Sequence, residues 1–215
     1  MKKQQSGFTL VEIAIVMVII GLLLGGVLKG QEVITNARIK NINNDFSGIS
    51  AAIYSYQDRY RALPGDDPAA DAHVNNGVVA TSGTAGDGVI EGDETSTLSA
   101  GNPAGVAADD EAALVWQHLR LAGLVAGDPN SQAFPVNAFG GNTNVFDGAG
   151  TNGLTGTIIA FEGVNGDMAV ILDAQNDDDQ PDTGSVRAFD TSAGGGVPIG
   201  GNYVFTDTYV LGFEL

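Results

Sequence analysis

The sequence predicts an α+β chain in which one long amino-terminal helix, apolar along its first half, packs by its second half on the antiparallel β-sheet of an acidic head. Three observations carry this prediction. Residues 8–28 form an apolar run with a single charge, Glu12. From Ile39 to Leu63, large apolar residues then recur at spacings of three and four, the period of one helical face. Beyond Thr157 the pattern changes to short β-rich runs.

The apolar run, Phe8 to Leu28, is 21 residues long. As a helix rising about 1.5 Å per residue it covers a hydrocarbon core of roughly 30 Å. Lys2 and Lys3 precede it and are expected to hold the amino terminus on the cytoplasmic side, with the remainder exported. A secretory signal has a shorter apolar region followed by a small-residue cleavage site, whereas here the small residue, Gly7, comes before the run. Glu12 is the residue that asks for a function. A lone carboxylate at membrane depth costs several kcal/mol unless it is paired or neutralised, and the nearest lysines in sequence are Lys3 and Lys29. A cut between Gly7 and Phe8 would create an α-amino group four residues before Glu12. That amine could pair with Glu12 of its own helix, or with Glu12 of a neighbouring subunit staggered by about one turn, which would set an assembly register.

Gly7, Phe8, Thr9, Leu10, Val11 and Glu12, followed by an unbroken apolar helix, resemble the prepilin cleavage and methylation signature of type IV pilins and type II secretion pseudopilins. The resemblance is specific over about the first 30 residues, looser to Leu63, and architectural beyond. It implies that a prepilin peptidase cuts after Gly7 and methylates the amino group of Phe8. It also implies that Glu12 helps recruit subunits into a helical filament at an inner-membrane assembly platform. The chain would then be a single-pass inner-membrane protein before assembly and part of a periplasmic or cell-surface filament afterwards. On this reading residues 1–7 are a leader, 8–28 the membrane and assembly half of the helix, 29–63 its amphipathic half, and 64–215 the exported head. A plain signal anchor, with Glu12 incidental, is the alternative.

The amphipathic stripe is Ile39, Ile42, Phe46, Ile49, Ile53, Tyr56, Tyr60 and Leu63, and it extends the helix to about 55 residues, ended by Pro64 and Gly65. A coiled coil ranks second, because the opposite face has few charge pairs. Many pilins carry a proline inside this helix; here none precedes Pro64, and Gly21, Gly25 and Gly26 are the weak points. Phe46, Tyr56 and Tyr60 read as core packing rather than as an electron-conducting path, with Tyr54 as the fourth aromatic nearby.

Charge divides unevenly. Residues 1–63 hold seven basic and four acidic residues, whereas 64–215 hold two basic and 22 acidic, a formal balance of −20. This argues against direct binding of nucleic acid or anionic lipid by the head. Cleavage after Gly7 would shift the whole chain from −17 to −19. Cysteine is absent, so no disulfide closes a carboxy-terminal loop as in many pilins.

Residues 65–108 are rich in Gly, Ala, Asp, Thr and Asn and are expected to be irregular and exposed. Within them Asp87, Gly88, Ile90 and Glu94 match the second half of a calcium loop, but Gly83 and Ala85 stand where its first acids belong, so a solvated acidic turn is the better reading. Asp109, Asp110 and Glu111 open a second helix, with Gly123 as its stop. It carries Ala113, Trp116, Gln117, His118 and Leu119; the tryptophan is expected to anchor it. His118 is expected at the surface or partly packed, and His73 in a loop, with no histidine metal pair.

Thr157–Glu162 and Met168–Leu172 read as strands joined into a hairpin by Gly163–Gly166. Ser185–Phe189 and Tyr203–Phe213 add further strands, giving a sheet of three to five on the first helix, the ladle-like layout that the resemblance also implies. Asp173, Asp177, Asp178, Asp179 and Asp182 crowd a short stretch after the second of these runs. Hard oxygen ligands at this density suit calcium, and an ordinary hydrated turn is the competing reading. Some pseudopilins close this loop with calcium where pilins use a disulfide. No cysteine, glycine-flanked serine nucleophile, phosphate loop with its lysine or paired metal-ligand histidines mark the chain as an enzyme, and its acidic pairs are too abundant for any one to be informative. The function classes are therefore a pilus-like subunit, a secretion pseudopilin, or a monomeric membrane-anchored binding protein.

Overall fold

The computed structural model describes residues 9–92, 110–148, 154–190, 197–198 and 200–215. The chain divides into two compact units, Met1–Arg38 and Ile39–Leu215. Helix α1, Leu10–Tyr60, contains 51 residues and runs unbroken through Gly21, Gly25 and Gly26. Within the first unit its apolar side chains, Leu10 to Leu28, all stay exposed. A window of this helix is long and apolar enough to cross a membrane, and none of that window is buried.

In the second unit the predicted stripe is the buried face. Ile39, Ile42, Ile49, Ile53 and Tyr56 are buried, with Phe46, Tyr60 and Leu63 packed at the margin of the same core. Tyr54, on the other face, is exposed. The helix stops earlier than Pro64 suggests. Arg61 takes a left-handed conformation at φ 60°, while its N–H still donates to the Gln57 carbonyl at 2.8 Å. A residue before proline disfavours helix, so Leu63 cannot continue the spiral and the chain turns out of it beforehand.

The connection after α1 is irregular, as expected, but much of its described part is not exposed. Asp66, Asp67, Val74 and Ile90 are buried, and a single turn, α2 (Ala70–His73), interrupts it. Glu94 lies outside the described residues. Helix α3, Glu111–Leu121, follows the predicted boundaries: Asp110 caps it by accepting from the Ala112 N–H, and Gly123 leaves it at φ 72°. Asp109 lies outside the described residues.

Strands β1 (Thr143–Asp147), β2 (Thr157–Asn165), β3 (Val186–Asp190), β4 (Val197–Pro198) and β5 (Thr208–Glu214) form one sheet in the order β1-β2-β5-β3-β4, antiparallel throughout. Phe213 faces Ile159 of β2 and Val186 of β3 across the ladders. Its ring lies 5.2 Å from that of Phe46 and 5.5 Å from that of Phe161, which joins α1 to the centre of the sheet. The fold is thus α+β: a long amino-terminal apolar helix and an antiparallel sheet.

The predicted hairpin is corrected. Met168–Leu172 belongs to helix α4, Gly166–Asn176, which buries Ala169, Leu172 and Asp173, a spacing of three and four rather than two. Gly163, at φ 77°, sits where β2 changes register between Phe161 and Val164, so it marks a bulge and not a turn. The last predicted strand is shortened. The Tyr209 hydroxyl accepts from the Val204 N–H at 2.9 Å, which folds residues 203–207 back before pairing begins at Thr208.

Candidate functional site

Of the predicted processing site, Gly7 and Phe8 lie outside the described residues, while Glu12 is placed in the first turn of α1. Its carboxylate Oε2 accepts from the Thr9 N–H and from the Thr9 hydroxyl, each at 2.8 Å, and Thr9 Oγ1 accepts in return from the Glu12 N–H at 3.3 Å. This is a capping box, in which the residue before the helix and the residue at its third position satisfy each other's free N–H groups. A charge in an apolar helix has therefore a local partner, and it stands at the positive end of the helix dipole. The carboxylate is exposed, and no cationic side chain pairs with it among the described residues.

The acidic stretch leaves α4 and leads to β3. Asp173 is wholly buried in the last turn of α4, where Oδ2 accepts from the Tyr203 hydroxyl and Oδ1 from the Asp179 N–H at 3.1 Å. Burial pushes its carboxyl up to about 6; the bonds from Tyr203 and Asp179 pull it down, and the neighbouring Asp178 and Asp177 push it further up. Asp177 accepts from the Ser185 N–H and, at 3.0 Å, from the Val186 N–H, which ties the loop to the start of β3. Asp178 accepts from the Gln180 N–H at 3.1 Å and the Thr183 hydroxyl at 2.6 Å.

One carboxylate oxygen from each of Asp173, Asp177 and Asp178 lies within 4.8 Å of the others, a spread that an ion with metal–oxygen distances of about 2.4 Å can span. The donor set is all oxygen, as calcium requires. The other two acids stand outside this convergence. Asp179, at φ 65°, contributes its N–H to Asp173, and Asp182 contributes its backbone carbonyl to Arg187 Nη1 at 2.8 Å. The structure also gives the first three carboxylates hydrogen-bond partners of their own, so they shape the turn whether or not an ion binds.

A second polar cluster escaped the sequence reading. His118 is buried, not at the surface: Nδ1 accepts from the Gly65 N–H at 2.9 Å, and Nε2, which therefore carries the proton, donates to the Val78 carbonyl at 2.8 Å. Burial depresses its basicity, against the pull of Val78 and Asp67. Asp67, also buried, accepts from the Tyr56 hydroxyl at 2.8 Å, the Ala69 N–H at 2.9 Å and His73 Nδ1 at 2.7 Å. Burial raises its carboxyl, but these bonds and the His73 charge outweigh it and hold Asp67 below the usual carboxylate range. Asp66 accepts from the N–H groups of Gly86 and Gly88. Trp116 anchors α3 in the core as expected. The signal that was available is α3 itself, whose sequence ALVWQHL is apolar all round, so its polar members must be buried too.

An apolar helix of membrane-crossing length, charged once in its first turn and continuing into an α+β head, is the layout of an amino-terminally anchored protein. Residues 2–28 match the family described as Prokaryotic N-terminal methylation motif, the signature of type IV pilins and pseudopilins. No curated protein and no solved structure matches the chain. The motif spans Gly7, Phe8 and Glu12, and together with the exposed apolar helix it fits membrane anchoring of a prepilin-like protein.

Proposed function

We propose that the chain is a structural subunit of a type IV pilus-like filament, and not an enzyme. A prepilin peptidase cuts after Gly7 and methylates Phe8; the amino-terminal helix then assembles with its copies from the inner membrane into a filament. The observation that carries this reading is the methylation motif at residues 2–28, on a helix whose apolar surface has no cover within its own unit. Burial of that surface between neighbouring helices supplies cohesion, and the pairing of Glu12 with a neighbour's Phe8 amine supplies register. The acidic head binds no nucleic acid directly. Mass spectrometry of the amino-terminal peptide, from sheared surface material and from membranes separately, tests the reading. A peptide beginning at methylated Phe8 in the sheared fraction supports it, and an intact Met1–Gly7 in both fractions overturns it.

A second reading, a type II secretion pseudopilin, is favoured by the convergence of Asp173, Asp177 and Asp178 in a chain without cysteine. There calcium would hold the loop between α4 and β3, and the processed peptide would be found only in membranes. Chelation should then lower the melting temperature of the wild type by more than that of Asp177→Asn/Asp178→Asn. An identical melt with and without chelator removes the calcium proposal.

A further inference from the structure

We propose that Glu111 and Glu91 form a binding site for a hard divalent cation of the calcium type, separate from the loop after α4. The site is built where the segment after α1 meets the start of α3. Glu111 is wholly buried. Its Oε2 accepts from the Glu91 N–H at 2.7 Å, whereas its Oε1 is buried with no hydrogen-bond partner among the described residues. A carboxylate oxygen out of water without a donor is among the costlier arrangements in a folded chain, so this atom asks for a cation or a proton.

The space it faces is formed by a glycine. Gly83 holds φ 95°, and a side chain built there would meet the Glu91 carboxylate at once and lie 3.3 Å from Glu111 Oε1. The two carboxylates therefore converge over the bare backbone of Gly83. Glu91 is fixed there by the Thr84 N–H, which donates to its Oε2 at 2.8 Å, and the Glu91 carbonyl accepts from the Ala112 N–H at 3.3 Å. Burial pushes the Glu111 carboxyl up, the Glu91 N–H pulls it down, and the neighbouring Asp66, Glu91 and Asp87 charges, all of one sign, push it further up. Asp66 is itself held by two backbone N–H groups. Backbone donors thus orient the acids, and no basic side chain in the set neutralises them. Two converging carboxylates, one of them open to solvent, are an oxygen set, and a set without histidine or thiolate suits calcium. Glu91 is exposed, which gives an ion an entry route.

The test counts bound calcium on the full chain in detergent by equilibrium dialysis, at about 0.15 M salt so that diffuse attraction to the acidic head is screened. The Asp177→Asn/Asp178→Asn background removes the other acidic loop. In it the chain should still take up one equivalent of calcium, and adding Glu111→Gln or Glu91→Gln should lose that equivalent. Glutamine at 111 keeps an acceptor for the Glu91 N–H, and glutamine at the exposed position 91 leaves the core untouched, so one variant at least reports on folded protein. No bound calcium in that background, or an equivalent that survives both substitutions, overturns the proposal. Because the count does not depend on assembly, it stands or falls apart from the filament reading.

Discussion

His118 shows how a single buried group makes acid destabilising. Its Nδ1 already accepts the Gly65 N–H, so a second proton has no place unless that bond breaks. Burial lowers its folded pKa below the ordinary 6.5; the unfolded chain binds the proton first, and stability falls as pH drops through 6.5 until the folded pKa is reached. The loss is at most about 1.4 kcal/mol per pH unit. Melting curves from pH 8 to 5 should therefore slope less in His118→Asn than in the wild type; equal slopes would mean that the imidazole is not held neutral. Gly184 makes a second case. At φ 71° it lets the Asp177 carboxylate lie where a side chain would stand, so Gly184→Ala should destabilise the head by about 1–3 kcal/mol in denaturant unfolding, whereas Gly123→Ala, at φ 72° with nothing near, should cost only the backbone strain. At the membrane end, Thr9→Val removes the hydroxyl that closes the Glu12 capping box. Amide exchange at Glu12 should then speed up, while that at Leu22 should not change.

Elements were legible where period and length agreed. The stripe Ile39–Tyr56 was read from spacing and is the buried face of α1; α3 was readable from its acidic start and glycine stop. Helix α4 was not, because MAVIL is a five-residue apolar run with two β-branched residues, equally at home in a strand. The flanking glycines strengthened the error. Gly163 allows the β2 bulge, and Gly166 is glycine because the Val204 backbone lies against it; neither closes a hairpin. Strand β1 was missed because Thr143 and Asn144 are polar yet buried, the latter donating to buried Glu162 at 2.9 Å, so no apolar alternation marks it. The acidic stretch was visible as composition, but composition could not tell that Asp173 is buried in the last turn of a helix while Asp179 and Asp182 serve through their backbones. The helical reading of α4 predicts its own mutational pattern. Leu172→Ala should cost about 2–5 kcal/mol in denaturant unfolding, and Ile171→Ala, on the exposed face, under about 1 kcal/mol. Comparable losses at both positions would contradict a single buried helical face.

The whole chain joins two opposed tendencies. Its first unit exposes an apolar helical surface that water disfavours, while residues 64–215 carry a formal charge of −20, which resists crowding of copies. In a filament both would act at once, cohesion between helices and repulsion between heads, and they respond differently to salt. At about 0.01 M salt the screening length is roughly 30 Å, comparable to a small domain, and at about 0.15 M it shrinks to roughly 8 Å. Polymerisation of the processed chain on detergent removal should therefore be poor at the lower concentration and efficient at the higher, as read by sedimentation. The Glu12→Ala variant separates the two contributions. It leaves the head charge intact and removes the proposed partner of the Phe8 amine together with the acceptor of the Thr9 N–H and hydroxyl, so its assembly should stay impaired at both concentrations. If the variant assembles as well as the wild type once salt is added, cohesion of the apolar helices is sufficient and Glu12 acts only through the capping box at the start of its own helix.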